Sequence, residues 1–170
     1  QMKQRLMLHF QKLEKGLKMQ TIELFSGTGS FSRVAFERGH EICTYDVASS
    51  ADEIVIGTHT QCNILHDEMI DYPMQPDILW ASPPCTTFSI ASCSYHWTEE
   101  GNPRTNDCLK GLAILEKTIK LIRYMNPTWW FIENPRGMMR KKIPNLFHKH
   151  GYEITFEGNF LWPNQLDLVY

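Results

Sequence analysis

A short apolar segment, DILWA at residues 77–81, limits the folds open to this chain more than any other feature. A nearly unbroken apolar run of this length is typical of a strand covered on both faces, as in a parallel sheet flanked by helices. Further strand-like segments, with helical stretches between them, occur at residues 21–25, 41–47 and 129–133. The alternation predicts an α/β fold with a mostly parallel, twisted sheet and helices on both faces.

Apolar residues at helical spacing predict a packing helix within residues 1–20 and a second long helix over residues 107–125. Gly39 and Asn126-Pro127 are typical of helix ends. The length of 170 residues indicates one domain, which we place at residues 21–170. The apolar positions are Leu6, Phe10, Leu13 and Leu17 in the first helix and Leu112, Leu115, Ile119 and Ile122 in the second.

The remaining segments are less regular. Residues 58–65 predict a short third strand. Residues 86–106 show neither the helical nor the strand periodicity of apolar residues, which predicts a long loop. Residues 138–151 read as largely helical. Two final strands, at residues 152–157 and 166–170, predict an antiparallel hairpin at one edge of the sheet.

Composition excludes several classes of protein. No apolar run is long enough to span a bilayer, and the charged opening residues do not resemble a secretion signal, so we expect a cytoplasmic protein without a membrane partner. Five cysteines without a CxxC pair, and histidines without metal-ligand spacing, predict neither a disulfide framework nor a metal site. We expect Cys43, Cys62 and Cys108 to be small buried side chains.

Charge is segregated along the chain. Residues 21–101 carry two basic and twelve acidic side chains, whereas residues 102–150 carry ten basic and three acidic ones. The basic stretch could present a local face to phosphate, or it could be the solvated face of a helix.

A glycine turn follows the first strand, in the stretch FSGTGS at residues 25–30. Glycines let a backbone pass close to a ligand, and the following helix offers free amides, as a nucleoside cofactor requires. Ser32 stands where a dinucleotide-binding motif has its third glycine, which disfavours a nicotinamide enzyme. Asp46, near the end of the next strand, could bind ribose hydroxyls or could be a turn or capping residue.

Two further motifs lie at strand ends, Pro83-Pro84-Cys85 and Glu133-Asn134-Pro135. Consecutive prolines hold the cysteine stiffly, which suits a nucleophile but also an inert turn residue. The glutamate follows an apolar run and could serve as an acid, a base or a hydrogen-bond partner, or face solvent. Because the carboxyl ends of parallel strands meet at one edge of a sheet, ligands are expected there.

In this order, FSGTGS, SPPCTTFS and FIENPRG resemble the DNA cytosine-5 methyltransferase family, especially its compact phage and prophage members. The resemblance covers residues 21–140 and implies a Rossmann-like methyltransferase domain that methylates C5 of cytosine in DNA. It implies that Cys85 attacks C6 of a flipped-out cytosine and that Glu133 holds N3. It also implies S-adenosylmethionine as the cofactor, bound by Phe25, Gly27, Gly29, Asp46, Asn63 and Ile64.

The same resemblance implies that the long loop closes over the extruded base. Tyr95, His96 and Trp97 would supply aromatic and polar contacts there. The implied contacts to DNA or the base are Pro84, Phe88, Ser89, Asn134, Arg136 and Arg140.

The sequence departs from the family in two ways. Family members carry Gln-x-Arg-x-Arg in a later hairpin, whereas Asp167 and Val169 follow Gln165 here, and no separate target-recognition region is visible. Two alternatives therefore stand beside an active enzyme. One is a weak or inactive relative that binds cofactor or DNA, or that needs a partner subunit or a second copy. The other is a methyltransferase acting on RNA or a pyrimidine nucleotide.

Overall fold

The computed structural model describes Met7 and residues 10–12, 14–48, 57–66, 72–134, 137–139, 152–155 and 160–163. The strands are β1 (Gln20–Leu24), β2 (Glu41–Asp46), β3 (Thr58–Gln61), β4 (Ile78–Ala81), β5 (Trp129–Ile132), β6 (Tyr152–Thr155) and β7 (Phe160–Pro163). The helices are α1 (Ser30–Glu37), α2 (Cys93–His96) and α3 (Asn106–Met125). No helix among these residues is long and apolar enough to cross a membrane.

Five strands form one sheet in the order β3-β2-β1-β4-β5. Strand β1 pairs in parallel with both β2 and β4, and β2 pairs in parallel with β3. The predicted α/β fold with a parallel sheet is confirmed. Right-handed crossovers, the rule for parallel strands, would place α1 and α3 on opposite faces, and this part stays a prediction.

The helix ends were predicted correctly. Gly39 has φ 85°, and its N–H donates to the carbonyl of Phe36 at 2.8 Å, so a left-handed glycine ends α1. Asn126 has φ 55° and its N–H donates to the carbonyl of Ile122 at 2.9 Å, just before Pro127, which ends α3.

The closing strands differ from the prediction. Strands β6 and β7 pair antiparallel, but they form a separate two-stranded sheet, so the predicted hairpin at an edge of the main sheet is wrong. Strand β7 lies between the two predicted closing strands and ends at Pro163. The predicted strand at residues 166–170, and nearly all of the predicted helix at residues 138–151, lie outside the described residues.

The chain divides into two compact units, Gln1–Ala81 with Lys117–Trp130, and Ser82–Glu116 with Phe131–Tyr170. Each unit has fully or almost fully buried apolar side chains of its own. In the first unit they include Ile22, Leu24, Leu79, Leu121 and Met125, and in the second Phe88, Trp97, Cys108, Leu115 and Ile132.

Within the first unit, an ion pair joins the N-terminal segment to the residue that precedes β4. Lys12 Nζ lies 3.0 Å from Asp77 Oδ2, and Asp77 is almost completely buried. The same oxygen accepts the Gln20 N–H at 2.8 Å. Phe10 and Leu17 of the predicted apolar stripe are more than half exposed, and Leu6 and Leu13 lie outside the described residues, so packing of this stripe stays a prediction.

Candidate active site

The predicted site residues fall into two groups, one in each compact unit. The glycine-turn region consists of residues 25–29 with Glu23, Ser32 and Asp46. The cysteine region consists of residues 82–89 with Glu133, Asn134 and Gly137.

The glycine turn between β1 and α1 has an unusual backbone. Phe25, Gly27 and Gly29 have φ values of 60°, 49° and 69°, the left-handed range that favours glycine. The Phe25 N–H donates to the Tyr45 carbonyl at 2.8 Å, which joins the turn to β2. The strand, glycine turn and helix predicted from FSGTGS are therefore present.

Asp46, the last residue of β2, is held by backbone amides. Its Oδ2 accepts the Gly27 N–H at 2.9 Å, and its Oδ1 accepts the Ala48 N–H at 2.8 Å. These bonds match the turn role, one of the two interpretations of Asp46 that the sequence left open. Since a carboxylate offers about four lone-pair sites, both oxygens keep capacity for further donors, and the predicted contact to ribose stays a prediction.

Glu23 is a member of this region that sequence reasoning missed. It lies on β1 with 3 % exposure, and its Oε2 accepts the Ser32 N–H at 2.9 Å and the Ser32 hydroxyl. Burial raises the pKa of Glu23 to about 7, although the Ser32 and Phe31 amides favour the charged form. The available signal was a carboxylate within the apolar strand TIELF, where a buried acid needs donors.

Asn63 and Ile64, the predicted adenine neighbours, form a turn after β3. The Asn63 Oδ1 accepts the Leu65 N–H at 3.1 Å, and Ile64 is buried. Their predicted contact to a cofactor stays a prediction.

Cys85 starts a tight turn in the cysteine region. Its carbonyl accepts the N–H groups of Phe88 at 2.9 Å and Ser89 at 3.1 Å. Pro83 is buried, Pro84 is exposed, and the Cys85 side chain is half-buried. The cysteine therefore occupies a fixed backbone position while its side chain keeps partial access to solvent.

Hydrogen bonds in both directions join the Cys85 segment to the Glu133 segment. The Asn134 Nδ2 donates to the Pro83 carbonyl at 2.8 Å, and Ser82 makes a side-chain hydrogen bond to Glu133. Burial raises the pKa of Glu133, and the bond from Ser82 opposes that rise. The two motifs predicted to meet at strand ends are thus brought together.

Asn134 is nine-tenths buried and its amide nitrogen is used within the protein. Its Oδ1 has no hydrogen-bond partner among the residues that the structure describes. The geometry therefore places Asn134 as a brace between the two motifs, and its predicted contact to DNA stays a prediction.

Phe88 is completely buried, and its predicted role as a base contact stays a prediction. Its ring lies 5.9 Å from that of Trp97, and its carbonyl accepts the Met138 N–H at 2.7 Å. Ser89 pairs with Gly137 through an antiparallel bridge. An aromatic residue after a cysteine motif can face either the ligand or the core, and Phe88 packs in the core.

The predicted long loop at residues 86–106 is an ordered structure that contains α2. Trp97 Nε1 donates to the Thr87 carbonyl at 2.6 Å, and His96 Nδ1 lies 2.7 Å from the Thr105 hydroxyl. His96 and Trp97 are buried, whereas Tyr95 is 71 % exposed. Of the three predicted contacts from this loop, Tyr95 alone presents its side chain to solvent.

Two predicted DNA contacts, Arg136 and Arg140, lie outside the described residues. The other cysteines differ in burial. Cys108 is completely buried, as predicted, whereas Cys43 and Cys62 are half-buried. Burial raises the pKa of the Cys43 thiol, which disfavours its thiolate.

The chain has a Rossmann-like methyltransferase fold. A structure described as a DNA modification methyltransferase encoded within a prophage of E. coli superimposes with a TM-score of 0.54 at 19 % identity, over 81 % of this chain and 40 % of the other. A ribosomal protein L11 methylase of Lactobacillus delbrueckii gives 0.51 at 11 % identity, over 93 % and 76 %. At these identities the likeness shows the fold alone.

The family model described as C-5 cytosine-specific DNA methylase matches residues 19–157, and the chain belongs to this family. A protein of Frog virus 3 described as a DNA (cytosine-5)-methyltransferase is 28 % identical over 76 % of this chain. The type II methyltransferase M.BsuFI of Bacillus subtilis is 27 % identical over 88 % of this chain. The chain spans 60 % of the first relative's length and 36 % of the second's.

Proposed function

We propose that this chain transfers a methyl group from S-adenosylmethionine to carbon 5 of cytosine in DNA. The observation that carries the proposal is the pair of hydrogen bonds that joins the Cys85 segment to the Glu133 segment. Covalent catalysis on a flat ring requires such a nucleophile with a proton-exchanging group on an adjoining segment. Membership of a family that acts on DNA supports the same chemistry.

The glycine-turn region fits the cofactor. A side chain at Gly27 would meet no atom within 4 Å, so the turn offers open space beside a backbone in the left-handed conformation. Asp46 keeps acceptor capacity for ribose hydroxyls, and Asn63 and Ile64 would border the adenine. When bound, S-adenosylmethionine supplies the methyl group as an electrophile attached to a sulfonium.

Cys85 and Glu133 have different roles in the proposed reaction of the cytosine ring. The Cys85 thiolate forms a bond to C6 and drives the electron pair of the C5–C6 double bond toward C5, the atom that takes the methyl group. Protonated Glu133 donates to N3, and the raised pKa of its half-buried carboxyl favours that protonated form. Transfer of the C5 proton to solvent then restores the C5–C6 double bond and expels Cys85 as a thiolate, and N3 returns its proton to Glu133.

The target base must leave the duplex, because stacking hides C6. Extrusion of a base costs a few kcal/mol. Tyr95, with 71 % of its side chain exposed, is placed on the ordered segment after Cys85 and can contact the nucleic acid. Arg136 and Arg140 would meet phosphates.

The test is transfer of labelled methyl to mixed-sequence duplex DNA, with identification of the product base. We expect 5-methylcytosine from the unchanged chain and none from Cys85→Ser, which should still bind cofactor. Cys93→Ser is a matched control, because Cys93 is also half-buried in the second unit and its thiol donates to the Ile90 carbonyl at 3.2 Å. We expect Glu133→Gln to slow transfer by about 10²-fold.

Duplex DNA containing 5-fluorocytosine provides a second readout, because fluorine at C5 blocks release after Cys85 has attacked. A covalent complex with the unchanged chain but not with Cys85→Ser would support the assignment. Cofactor binding without any covalent complex would instead favour an inactive relative or one that needs a partner. Transfer to RNA but not to DNA would overturn the proposed substrate.

A further inference from the structure

Five consecutive carbonyl groups, those of residues 85–89, accept hydrogen bonds within the second unit. Side chains donate to two of them. The Ser92 hydroxyl donates to the Thr86 carbonyl at 2.5 Å. Trp97 Nε1 donates to the Thr87 carbonyl at 2.6 Å. Backbone N–H groups serve the other three, from Phe88 and Ser89 to Cys85, from Met138 to Phe88, and from Ser92 to Ser89.

We propose that Ser92 is a positioning residue whose hydroxyl holds the Thr86 carbonyl and so fixes the backbone on the C-terminal side of Cys85. This role deepens the proposed function and rests on it, because Cys85 is the nucleophile there. Thr86 follows Cys85 directly, so a shift of its peptide group would pass to the nucleophile. A misplacement of about 1 Å can slow a reaction by about 10²-fold.

The direction of each bond follows from the donors available. A carbonyl oxygen cannot donate, so the Ser92 hydroxyl must be the donor to Thr86. The Ser92 oxygen also lies 3.3 Å from the Ser89 carbonyl, but a hydroxyl has one proton and the shorter contact takes it. The Ser89 hydroxyl, 2.9 Å from the Ser92 hydroxyl, must then donate to it. The hydrogen bonds therefore run from Ser89 through Ser92 to Thr86.

Ser92 is itself anchored, so its hydroxyl can act as a fixed point. Its carbonyl accepts the N–H groups of Tyr95 and His96, both at 3.2 Å. His96 ends α2, Trp97 follows it, and both side chains are buried. The short helix therefore ties Ser92 to buried side chains of the second unit, and the Ser92 hydroxyl extends this support to the segment of the nucleophile.

Amide hydrogen exchange, followed by NMR, tests this geometry without any need for activity. The N–H groups of Phe88 and Ser89 both donate to the Cys85 carbonyl. Ser92→Ala should lower the protection of these two amides by about tenfold, as expected for one lost hydrogen bond. The Phe25 N–H, which forms a backbone hydrogen bond in the first unit, should keep its protection. Unchanged protection at Phe88 and Ser89 would overturn the proposal.

A matched pair of variants separates the hydroxyl from the shape of the side chain. Threonine and valine have nearly the same shape, but threonine alone keeps the hydroxyl. We expect Ser92→Thr to protect the two amides like the unchanged chain and Ser92→Val to resemble Ser92→Ala. Equal protection in the threonine and valine variants would contradict a role for the hydroxyl.

Covalent trapping on duplex DNA containing 5-fluorocytosine gives a readout that a merely structural role would not move. Ser92→Ala should slow formation of the complex by about tenfold and leave cofactor affinity, measured by calorimetry, unchanged. In methyl transfer, kcat should accordingly fall more than KM rises. Ser94→Ala is the control, because Ser94 is an exposed serine of α2, and its trapping rate should not change.

The two measurements together separate the possible outcomes. Lost amide protection with a normal rate of trapping would make Ser92 a structural residue and overturn its positioning role. If the unchanged chain forms no covalent complex, the proposed function fails, and amide exchange alone still decides whether Ser92 holds the turn after Cys85.

Discussion

The glycine-turn region and the cysteine region are held by different kinds of hydrogen bond. In the glycine turn, carboxylates accept backbone amides: Asp46 binds the Gly27 N–H, and Glu23 binds the Ser32 N–H. In the cysteine region, side chains contact a proline-rich backbone, since Asn134 donates to the Pro83 carbonyl. The first region therefore depends on backbone conformation and on carboxyl groups that accept backbone N–H groups, and the second on donors that replace those missing from proline.

This difference predicts which function each region loses when its residues are substituted. Substitutions in the cysteine region should abolish attack by Cys85 without loss of cofactor binding. Substitutions in the glycine-turn region should weaken cofactor binding while Cys85 keeps its local structure.

The largest effect is expected at Gly137 in the cysteine region. A Cβ at this position would overlap the Phe88 carbonyl oxygen, and a backbone atom cannot rotate away as a side chain can. Overpacking of this kind costs about 3 kcal/mol or more. Gly137→Ala should therefore lower the urea midpoint and abolish covalent trapping on 5-fluorocytosine DNA.

Gly111→Ala is the matched comparison for Gly137→Ala. Its Cβ would lie 2.7 Å from the Thr87 hydroxyl oxygen and 3.3 Å from the Phe88 ring, which are side-chain atoms of buried residues. Alanine also improves helix propensity within α3 by about 1 kcal/mol, which offsets part of the cost. We expect a smaller loss of stability than for Gly137→Ala, and equal losses for the two variants would refute the distinction between backbone and side-chain obstruction.

Glu23 makes the stability of the glycine-turn region depend on pH. Its folded-state pKa of about 7 lies above the ordinary value of 4.5, so the folded state holds the proton more tightly than the unfolded state. The free energy of unfolding should therefore fall as pH rises from 4.5 through 7, by about 3 kcal/mol in total. Glu23→Gln should remove this dependence in urea titrations at pH 5, 6, 7 and 8.

Glu133→Gln gives the corresponding measurement in the cysteine region. The pKa of Glu133 is also raised by burial, but its side chain is only half-buried, so the same sign and a smaller change are expected. If Glu23→Gln left the pH dependence of unfolding unaltered, the buried carboxyl would not be the group that titrates.

Asn134→Ala should have the next largest effect. It leaves the Pro83 carbonyl without its donor, and a buried unsatisfied group costs about 1–3 kcal/mol. Because Pro83 precedes Cys85 by two residues, we expect slower covalent trapping with cofactor affinity unchanged. Asn134→Asp, of the same shape but without the amide donor, should behave like the alanine variant, and retention of normal trapping by either would remove Asn134 from the brace.

The sequence predicted the helix ends of the fold and the strand ends of both regions well. Gly39 and Asn126 marked helix ends, and strand ends located Cys85, Glu133 and Asp46, because local backbone chemistry decides these features. The burial of Phe88 was missed, since inside an irregular segment it depends on Trp97 and on the close approach of Gly137. The bonds of Ser82, Asn134 and Glu23 were missed for the same reason, as each joins residues from different segments and leaves no periodic signal.

The smallest effect is expected at Gly27, where conformation rather than space is limiting. An added Cβ would meet no atom within 4 Å, so the penalty of Gly27→Ala comes from its φ of 49° and amounts to about 1–2 kcal/mol. Strain at this turn should displace the amide that Asp46 accepts and lower cofactor affinity, measured by calorimetry with S-adenosylmethionine, by about tenfold. Gly27→Asn should lose less, because asparagine tolerates the left-handed conformation better than alanine does. If alanine and asparagine weakened binding equally, the loss would come from the side chain's bulk toward the ligand, and the glycine-turn region would be limited by space after all.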